Sequence, residues 1–122
     1  NVATINGESQ GLALGTGDAN VIIAAISADT VVKINRITVA NVDGSSAADV
    51  NIKVVKAAFT SAATGLAGNV GTIYLAKTIA VPADASLVVL ETPIYMQTGD
   101  ALQGGASAAG DLEVFVSYDV IA

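Results

Sequence analysis

The chain has 122 residues, of which 23 are Ala and 12 are Gly, and it contains no His, Cys or Trp. The general base, thiol nucleophile and soft metal ligands that enzymes use most often are therefore missing. Five Lys and Arg stand against eleven Asp and Glu, giving a formal net charge of −6. Such a chain is a poor direct partner for nucleic acid or an anionic membrane surface.

The charges are unevenly distributed along the chain. All five basic residues lie between Lys33 and Lys77, whereas residues 78–122 carry six acidic residues and no basic one. This pattern predicts either attraction within a subunit or between neighbouring subunits, or a set of solvated strand faces and turn carboxylates. The high mean hydropathy, reached with few aromatic residues, favours self-association into a homo-oligomer.

The length predicts one domain over residues 1–122. The longest apolar run, Val21–Ile26, is far too short to span a membrane, and no basic segment followed by an apolar one opens the chain. Asn1 in first position is compatible with an omitted initiator Met or with a cut precursor. Without Cys, no disulfide framework is available.

Alternation with a period of two recurs along the first half, and helical periodicity does not. Residues 1–19 predict an N-terminal arm, or a short edge strand around Gly11–Leu14. Val21–Ile26 is predicted as a strand. A longer strand follows over Thr30–Ala40, where the apolar parity changes near Asn35–Arg36, which predicts a β-bulge. The next turn and strand are marked by Asp43-Gly44 and by alternating Val50, Ile52 and Val54.

Residues 57–71 have no clear pattern and predict a long loop or flap, with Phe59 and Leu66 available to order against a neighbour. Alternation returns over Thr72–Val81. It predicts Ile73, Leu75, Ile79 and Val81 on one face, and Lys77 either at the sheet rim or paired inward with a carboxylate.

The remaining strands are predicted over Leu87–Leu90, Ile94–Met96 and Ala101–Ser107. The last strand is predicted to face the core with its even-numbered residues, Leu112, Val114, Val116, Tyr118 and Val120. Seven to nine short strands with turns about every ten residues are typical of an all-β antiparallel β-sandwich or jelly roll.

Three loops carry enough oxygen atoms to raise the question of calcium: Gly15–Asn20, Asn41–Ser45 and Gly110–Glu113. None has the spacing of a known calcium loop, so ordinary turn roles are favoured for their Asp residues. Gly104-Gly105 lies inside a predicted strand, where a bulge or close packing explains it better than a nucleotide site.

The sequence also offers no convincing catalytic arrangement. A serine triad lacks its base, a Ser–Lys pair does not fit Lys residues placed in strands, and a glycosidase-type carboxylate pair needs a cleft that so few aromatic residues would not line. We therefore predict no enzyme, and no catalytic, cofactor-binding or metal-binding residues.

Three segments resemble small virion structural proteins of tailed bacteriophages, including phages of cyanobacteria and marine bacteria. They are ITVANVDGSSAADVNIKVV (37–55), IYLAKTIAVPADASLVVLETPIYMQTGDAL (73–102) and SAAGDLEVFVSYDVI (107–121), about two thirds of the chain. The resemblance implies a β-sandwich that decorates or cements the capsid, or sits on the neck or tail, and it implies no enzymatic residues.

The first hypothesis is accordingly a capsid decoration or cement protein, made in the host cytoplasm and bound to the major capsid protein as a homo-oligomer, with a trimer favoured. The second is a neck, tail or baseplate component, distinguished by a low copy number per virion. The third is a module that binds host glycans, which would need aromatic or calcium-dependent contacts. A surface-layer or pilus subunit is the fourth, although the long apolar first helix usual in pilus subunits is missing from the pattern.

Overall fold

The computed structural model describes residues 3–67 and 71–122, and nine strands form within them. They are β1 (Ile5–Ala13), β2 (Asn20–Ile23), β3 (Val31–Asn41), β4 (Ala48–Lys56), β5 (Gly71–Val81), β6 (Ser86–Leu90), β7 (Ile94–Met96), β8 (Ala101–Ala106) and β9 (Leu112–Ile121).

The strands form two antiparallel sheets. The five-stranded sheet has the order β1-β9-β3-β6, with β7 also paired to β3, and the four-stranded sheet has the order β2-β8-β4-β5. First and last strands pair in a nested series: β1 with β9, β2 with β8, β3 with β6 and β7, and β4 with β5. This is the order of a jelly roll in which β6 and β7 together replace one strand. The predicted fold class, an antiparallel β-sandwich with seven to nine strands, is confirmed.

A single apolar cluster fills the space between the two sheets. It takes Val39 and Val114 from the five-stranded sheet and Val50, Ile52 and Leu102 from the four-stranded sheet, all of them buried. Each such side chain contributes about 1.5–3 kcal/mol by leaving water. The even-numbered residues of β9 face this cluster, as their alternation predicts, although Val120 at the end of the strand is only partly buried.

The parity change in β3 is a β-bulge, as predicted. The register of β3 against β9 shifts between Ile34 and Arg36, which leaves Asn35 as the extra residue. Ile34 and Ile37 are both fully buried because the bulge restores the inward direction after one additional residue. The bulge therefore allows all of β3 to contribute to one core.

The prediction for β5 is only partly right. Val81 is fully buried, but Ile73 and Ile79 remain 46% and 41% exposed. The register against β4 shifts twice, and Thr78, at the shift between Ile79 and Ala76, has a positive φ of 53°. β5 is also an edge strand, so the opposite sheet covers its inner face incompletely.

Other segments differ from expectation in extent. The strand predicted over Val21–Ile26 ends at Ile23, and the long strand predicted from Thr30 begins at Val31. Within residues 1–19, β1 forms a nine-residue edge strand along β9.

Of the loop predicted over residues 57–71, the structure describes residues 57–67, which contain one isolated bridge between Thr60 and Ala67. Residues 68–70 lie outside the described part, and β5 begins at Gly71. None of the described residues belongs to a helix with the length and apolarity needed to cross a bilayer.

Candidate interaction surfaces

Part of the solvent side of the four-stranded sheet is covered by the chain itself. The loop Gly15–Asn20 crosses β8, where a Cβ atom built on Gly105 would lie 1.3 Å from the carbonyl oxygen of Gly17. On the other side of the strand, a Cβ on Gly104 would lie 2.5 Å from the carbonyl oxygen of Asn51. The Gly-Gly pair therefore permits close packing on both sides of β8, one of the two roles predicted for it. We call this surface the covered face.

Asp18 holds the crossing loop down. Its carboxylate accepts a hydrogen bond of 2.7 Å from the Asn51 side-chain amide and a second, short one from the Tyr74 hydroxyl. Both bonds lower the pKa of Asp18, and the bond from Tyr74 has the larger effect. The Asp18–Tyr74 bond also raises the pKa of Tyr74. Asn51 also accepts a hydrogen bond from the backbone N–H of Thr78. Asp18 thus acts as a structural clamp between the loop, β4 and β5.

Lys77 lies at the rim of the covered face. Its ammonium nitrogen is 4.7 Å from the centre of the Tyr74 ring, a cation–π distance, and the side chain is exposed. Of the two roles predicted for Lys77, the rim position is therefore right and the inward ion pair is wrong.

The turn at Asn41–Ser45 is also stabilised internally. The Asn41 amide donates to the carbonyl oxygens of Ser46 and Val81 and accepts from the N–H of Asp43. Asp43 in turn accepts from the backbone and hydroxyl of Ser45. Within residues 3–67 and 71–122, no group of three or more acidic side chains is placed to hold a metal ion.

One charge pair joins the basic middle of the chain to its acidic end. The Lys56 ammonium is 2.7 Å from the Asp100 carboxylate, which is 1% exposed. The backbone N–H groups of Ala57 and Gln97 also donate to Asp100. Burial opposes the ionised carboxylate, but Lys56 and the two N–H groups outweigh it and lower the pKa of Asp100. This pair attaches the start of the 57–67 loop to the turn before β8.

The solvent side of the five-stranded sheet, which we call the open face, carries four large exposed side chains: Ile5, Val88, Tyr95 and Phe115. Val88 and Phe115 both lie opposite Thr38 in the strand register, so three neighbouring strands contribute to the same patch. Phe115 is 53% exposed on a strand whose other outward residues are mostly polar.

Next to Phe115 the open face has a shallow groove of about 410 Å³. Its floor and walls come largely from small residues, Gly11, Ala13, Ala40 and Ser86, with Glu113 at one side. Small side chains in a row leave a depression beside the one large ring. A partner with a protruding apolar side chain would fit this groove better than a partner with a flat surface.

Both signs of charge occur on the open face. Lys33 and Arg36 lie on β3, and Glu113 and Asp119 lie on the neighbouring β9. The Asn35 amide in the bulge donates to Asp119 at 3.2 Å. The mixture favours an orientation-specific contact with another protein over adsorption to a uniformly charged surface.

The 57–67 loop adds a second apolar surface at one end of the sandwich. Phe59 and Leu66 are exposed, as their isolated positions in the sequence would allow. A groove of about 390 Å³ lies beside Phe59, between the loop and the turns at Asp29–Val31 and Gln97–Thr98.

Sequence reasoning did not single out Val88, Tyr95 or Phe115. One signal was present for Phe115, which is an aromatic residue among Glu113, Ser117 and Asp119 on the outward parity of β9. An aromatic residue on an otherwise polar strand face indicates a contact surface.

No family model matches the chain, and no curated protein matches it. Among solved structures, it is similar to a protein of the disulfide-linked pili of Bacillus endospore appendages, with 14% identity over 97% of this chain and 86% of that chain and a TM-score of 0.45. It is also similar to the virus-like particle protein of the extra small virus of the prawn Macrobrachium rosenbergii, with 8% identity over 98% and 79% and a TM-score of 0.46.

A third similar structure is the VP2 subviral particle of infectious bursal disease virus, with 14% identity over 98% of this chain and 31% of that chain and a TM-score of 0.40. Likenesses of this size assign neither a family nor a function.

Proposed function

We propose that this protein is a structural, non-enzymatic component of a tailed-phage virion, and that it decorates or cements the capsid by docking its open face on the major capsid protein. The observation that carries the proposal is the exposure of Ile5, Val88, Tyr95 and Phe115 on one sheet face. Several large apolar side chains exposed on the same sheet face indicate a protein–protein contact.

Two further observations support this proposal. The segments 37–55, 73–102 and 107–121 resemble small virion proteins, and in this fold they supply β6, β7 and β9, most of β4 and β5, and the second half of β3. The jelly-roll order is also common in viral shell domains, although it is shared with lectins and other proteins, so the fold alone does not specify the role.

The expected free energy of docking is consistent with a protein present in many copies. Burial of apolar area contributes about 25 cal/mol per Å², against an association cost of several kcal/mol for each docked copy. A shallow face such as this one gives a modest affinity by itself. Repetition across a lattice, and linkage of copies in an oligomer, raise the residence of each copy without any new contact.

We place the protein on the outer surface of the capsid as a trimer at threefold or quasi-threefold positions. In this arrangement the 57–67 loop, with Phe59 and Leu66 exposed at one end of the sandwich, supplies contacts to a neighbouring copy. The same docking surface would serve a neck, tail or baseplate component, and copy number per virion separates the two: hundreds of copies on the shell, or about a dozen on the tail.

The test is an add-back experiment on particles stripped of this protein. The wild-type protein should restore binding and raise the temperature at which the particles release DNA. Phe115→Ser should bind at least tenfold more weakly, whereas Val21→Ser, which removes a side chain of similar exposure from β2 in the four-stranded sheet, should bind like wild type.

Unchanged DNA release after stripping and add-back would contradict the cement role. Equal binding by the two variants would contradict the open face as the docking surface. Binding that is lost with a chelator and directed to glycans would support the host-glycan alternative instead.

A further inference from the structure

The free edge of β1 differs from the other sheet edges. β1 runs for nine residues, pairs with β9 in one unbroken register, and contains no Lys, Arg or Pro. The other long edge strand, β5, has two register shifts, a positive φ at Thr78 and the exposed Lys77, and β2 has only four residues. Bulges, lysines and short length are the features that block pairing at a sheet edge. Among the edges in the described part of the chain, β1 is the long one that lacks them.

The hydrogen bonds at its two ends show which backbone groups of β1 are available. Thr4 and Ala122 exchange two backbone bonds, and the N–H of Leu14 donates to Leu112, all in the register of the β1–β9 ladder. Alternate residues of an antiparallel strand bond to the same neighbour, so the even-numbered residues of β1 bond to β9. The odd-numbered residues turn their N–H and C=O groups to the free edge, where no described residue bonds to them: Ile5, Gly7, Ser9, Gly11 and Ala13.

We propose that β1 pairs with β1 of a second copy of this chain, antiparallel and about a twofold axis at Ser9. Ser9 then lies opposite Ser9 of the partner subunit, and Gly7 opposite Gly11 of the partner subunit. This register uses all five available residues of each strand, in five residue pairs with two bonds each and ten backbone hydrogen bonds in all. The two five-stranded sheets become one continuous sheet across the axis.

The side chains favour this register over its neighbours. Glu8 lies opposite Gln10 of the partner subunit, whose amide can donate to the carboxylate. A shift of the axis to residue 8 would instead place Glu8 opposite Glu8 of the partner subunit, a like-charge contact that is destabilising in a cross-strand pair. Gln10 is therefore the matching residue for Glu8 at the twofold contact.

The glycines also fit the contact. A Cβ built on Gly11 would lie 3.3 Å from the Phe115 ring, so the ring already occupies the space above this residue. Opposite Gly11 stands Gly7 of the partner subunit, which has no side chain to collide with that ring. Two glycines in register thus allow the aromatic ring to extend towards the second copy.

A cleft beneath β1 gives the pairing additional apolar area. It has a volume of about 250 Å³, lies between the two sheets, and includes Ile26, Val32, Tyr118 and Val120 among its walls. In the proposed register, Leu12 of the partner subunit lies opposite Asn6 on the inner side of the strand, next to this cleft. The second copy therefore covers apolar surface that one copy leaves open.

This twofold contact does not rest on the virion role, and it is separate from the threefold contact of the proposed trimer. A chain that used both would link one trimer to the next and extend as a lattice. The surface used, the β1 edge, is different from the 57–67 loop assigned to the threefold contact. Each contact can therefore fail without the other.

A cysteine scan tests the register, because the chain contains no Cys of its own. Opposed residues in a hydrogen-bonded pair have Cα atoms about 5.5 Å apart, within the range of a disulfide. Ser9→Cys should form a covalent dimer under mild oxidation at least tenfold faster than Glu8→Cys or Gln10→Cys. Faster cross-linking of either of those variants, or equal and slow cross-linking of all three, would overturn the proposed axis.

A proline substitution tests the contact without disturbing the subunit. The N–H of Ser9 faces the free edge, so Ser9→Pro removes no bond to β9 but removes a donor at the axis. Light scattering over a range of concentrations should give a larger mass for the wild type than for Ser9→Pro: a dimer against a monomer if the twofold contact forms alone, or a larger assembly against a trimer if both contacts form. Ser9→Thr, which keeps the N–H, is the control and should keep the wild-type mass.

Circular dichroism should show unchanged melting of the Ser9→Pro subunit at concentrations where the wild type is dissociated. A wild type that stays monomeric, or one that forms only closed trimers, would overturn the twofold contact. The second of these results would still support the proposed oligomer, so the two proposals have distinguishable failures.

Discussion

The covered face and the open face belong to the same sandwich, but one is crossed by a loop of the chain and the other is left exposed to solvent. On the four-stranded sheet, the loop Gly15–Asn20 lies over Gly105 and is held by Asp18. On the five-stranded sheet, Phe115 and Val88 are left exposed around a groove. The polar groups of one face are engaged within the chain, whereas the apolar groups of the other are available to a partner.

Exposed apolar residues also occur on the four-stranded sheet, at Val21, Ile73 and Ile79, so the two faces differ in the loop that crosses one of them and not in the mere presence of such residues. The same sequence contains the means to cover a sheet, because a glycine at the crossing point and one carboxylate are enough. The covered face has a glycine at a crossing point and a carboxylate that holds the crossing loop, and the open face has neither. Substitutions on the two faces should therefore affect different properties of the protein. Stability should depend on the covered face, and docking on the open one.

The largest effect is expected from Gly105→Ala. The added Cβ would lie 1.3 Å from the Gly17 carbonyl, so the crossing loop must move away from β8. We expect a loss of about 3 kcal/mol in the free energy of unfolding, at the high end for overpacking, because the obstacle is backbone. Chemical denaturation measures it. Gly44→Ala is the control, since its Cβ would be no nearer than 3.8 Å to Asp84 and should have little effect; equal losses for both variants would contradict the crossing.

The second effect comes from the end of the sandwich, where Lys56→Met would leave Asp100 buried without its counter-charge. Breaking such a pair usually costs about 3–5 kcal/mol, and the partial exposure of Lys56 together with two N–H donors to Asp100 reduces our expectation to about 2 kcal/mol. Lys53→Met, which breaks no ion pair within the described residues, should cost much less. A loss no larger than that of the control would show that the pair is not stabilising.

The same pair gives a pH dependence with a definite sign. Because the folded-state pKa of Asp100 lies below its ordinary value of 3.8, its contribution to stability is present above that pH and is lost as the pH falls through the folded-state pKa. Lys56→Met raises the folded-state pKa of Asp100 towards or above its unfolded value, so the variant should lose less stability on acidification than wild type does. Denaturation midpoints measured from pH 7 down to about pH 2 should therefore differ most near neutral pH and converge as the pH falls; a difference that stays constant over this range would contradict this assignment.

A smaller effect is expected from Asp18→Ala. The substitution removes both clamp bonds, to Asn51 and Tyr74, but leaves the packing of the loop over Gly105. We expect a lower Tm than wild type, with a smaller decrease than in Gly105→Ala. Amide exchange in residues 15–20 should accelerate while exchange in β9 stays unchanged, and acceleration in β9 to the same degree would show that the clamp is not local.

The smallest effect on stability is expected from Phe115→Ser. The ring is half exposed, so its removal should change the free energy of unfolding by no more than about 0.5 kcal/mol. The same variant should lose docking in the add-back experiment. A large loss of stability would place Phe115 in the core energetics and remove the contrast between the two faces.

Much of the fold could be predicted because β3 and β9 carry local patterns. The parity change at Asn35–Arg36 marks the bulge, and the apolar even-numbered residues of β9 mark its buried side. β5 could not be predicted as well, because alternation reports which residues share a face but not whether an opposite sheet covers it. Ile73 and Ile79 therefore share the predicted face and remain half exposed at an edge.

The covered face was the least predictable part of the molecule. Asp18 reaches Asn51 and Tyr74 across 33 and 56 positions of sequence, and no local signal links residues so far apart. From the sequence, the loop Gly15–Asn20 could be compared only with ligand-binding loops. Its Asp residue was assigned an ordinary turn role, whereas the structure uses it to attach the turn to a sheet.

The paired backbone bonds between Thr4 and Ala122 have a practical consequence for anyone who wishes to attach cargo to this protein. Residues 4 and 122 are next to each other, at the same corner of the sandwich, so segments attached at either residue would emerge from one place. Bulky fusions there would crowd the β1 edge, whereas a short bridge between the two positions would give a circular permutant that leaves every strand intact.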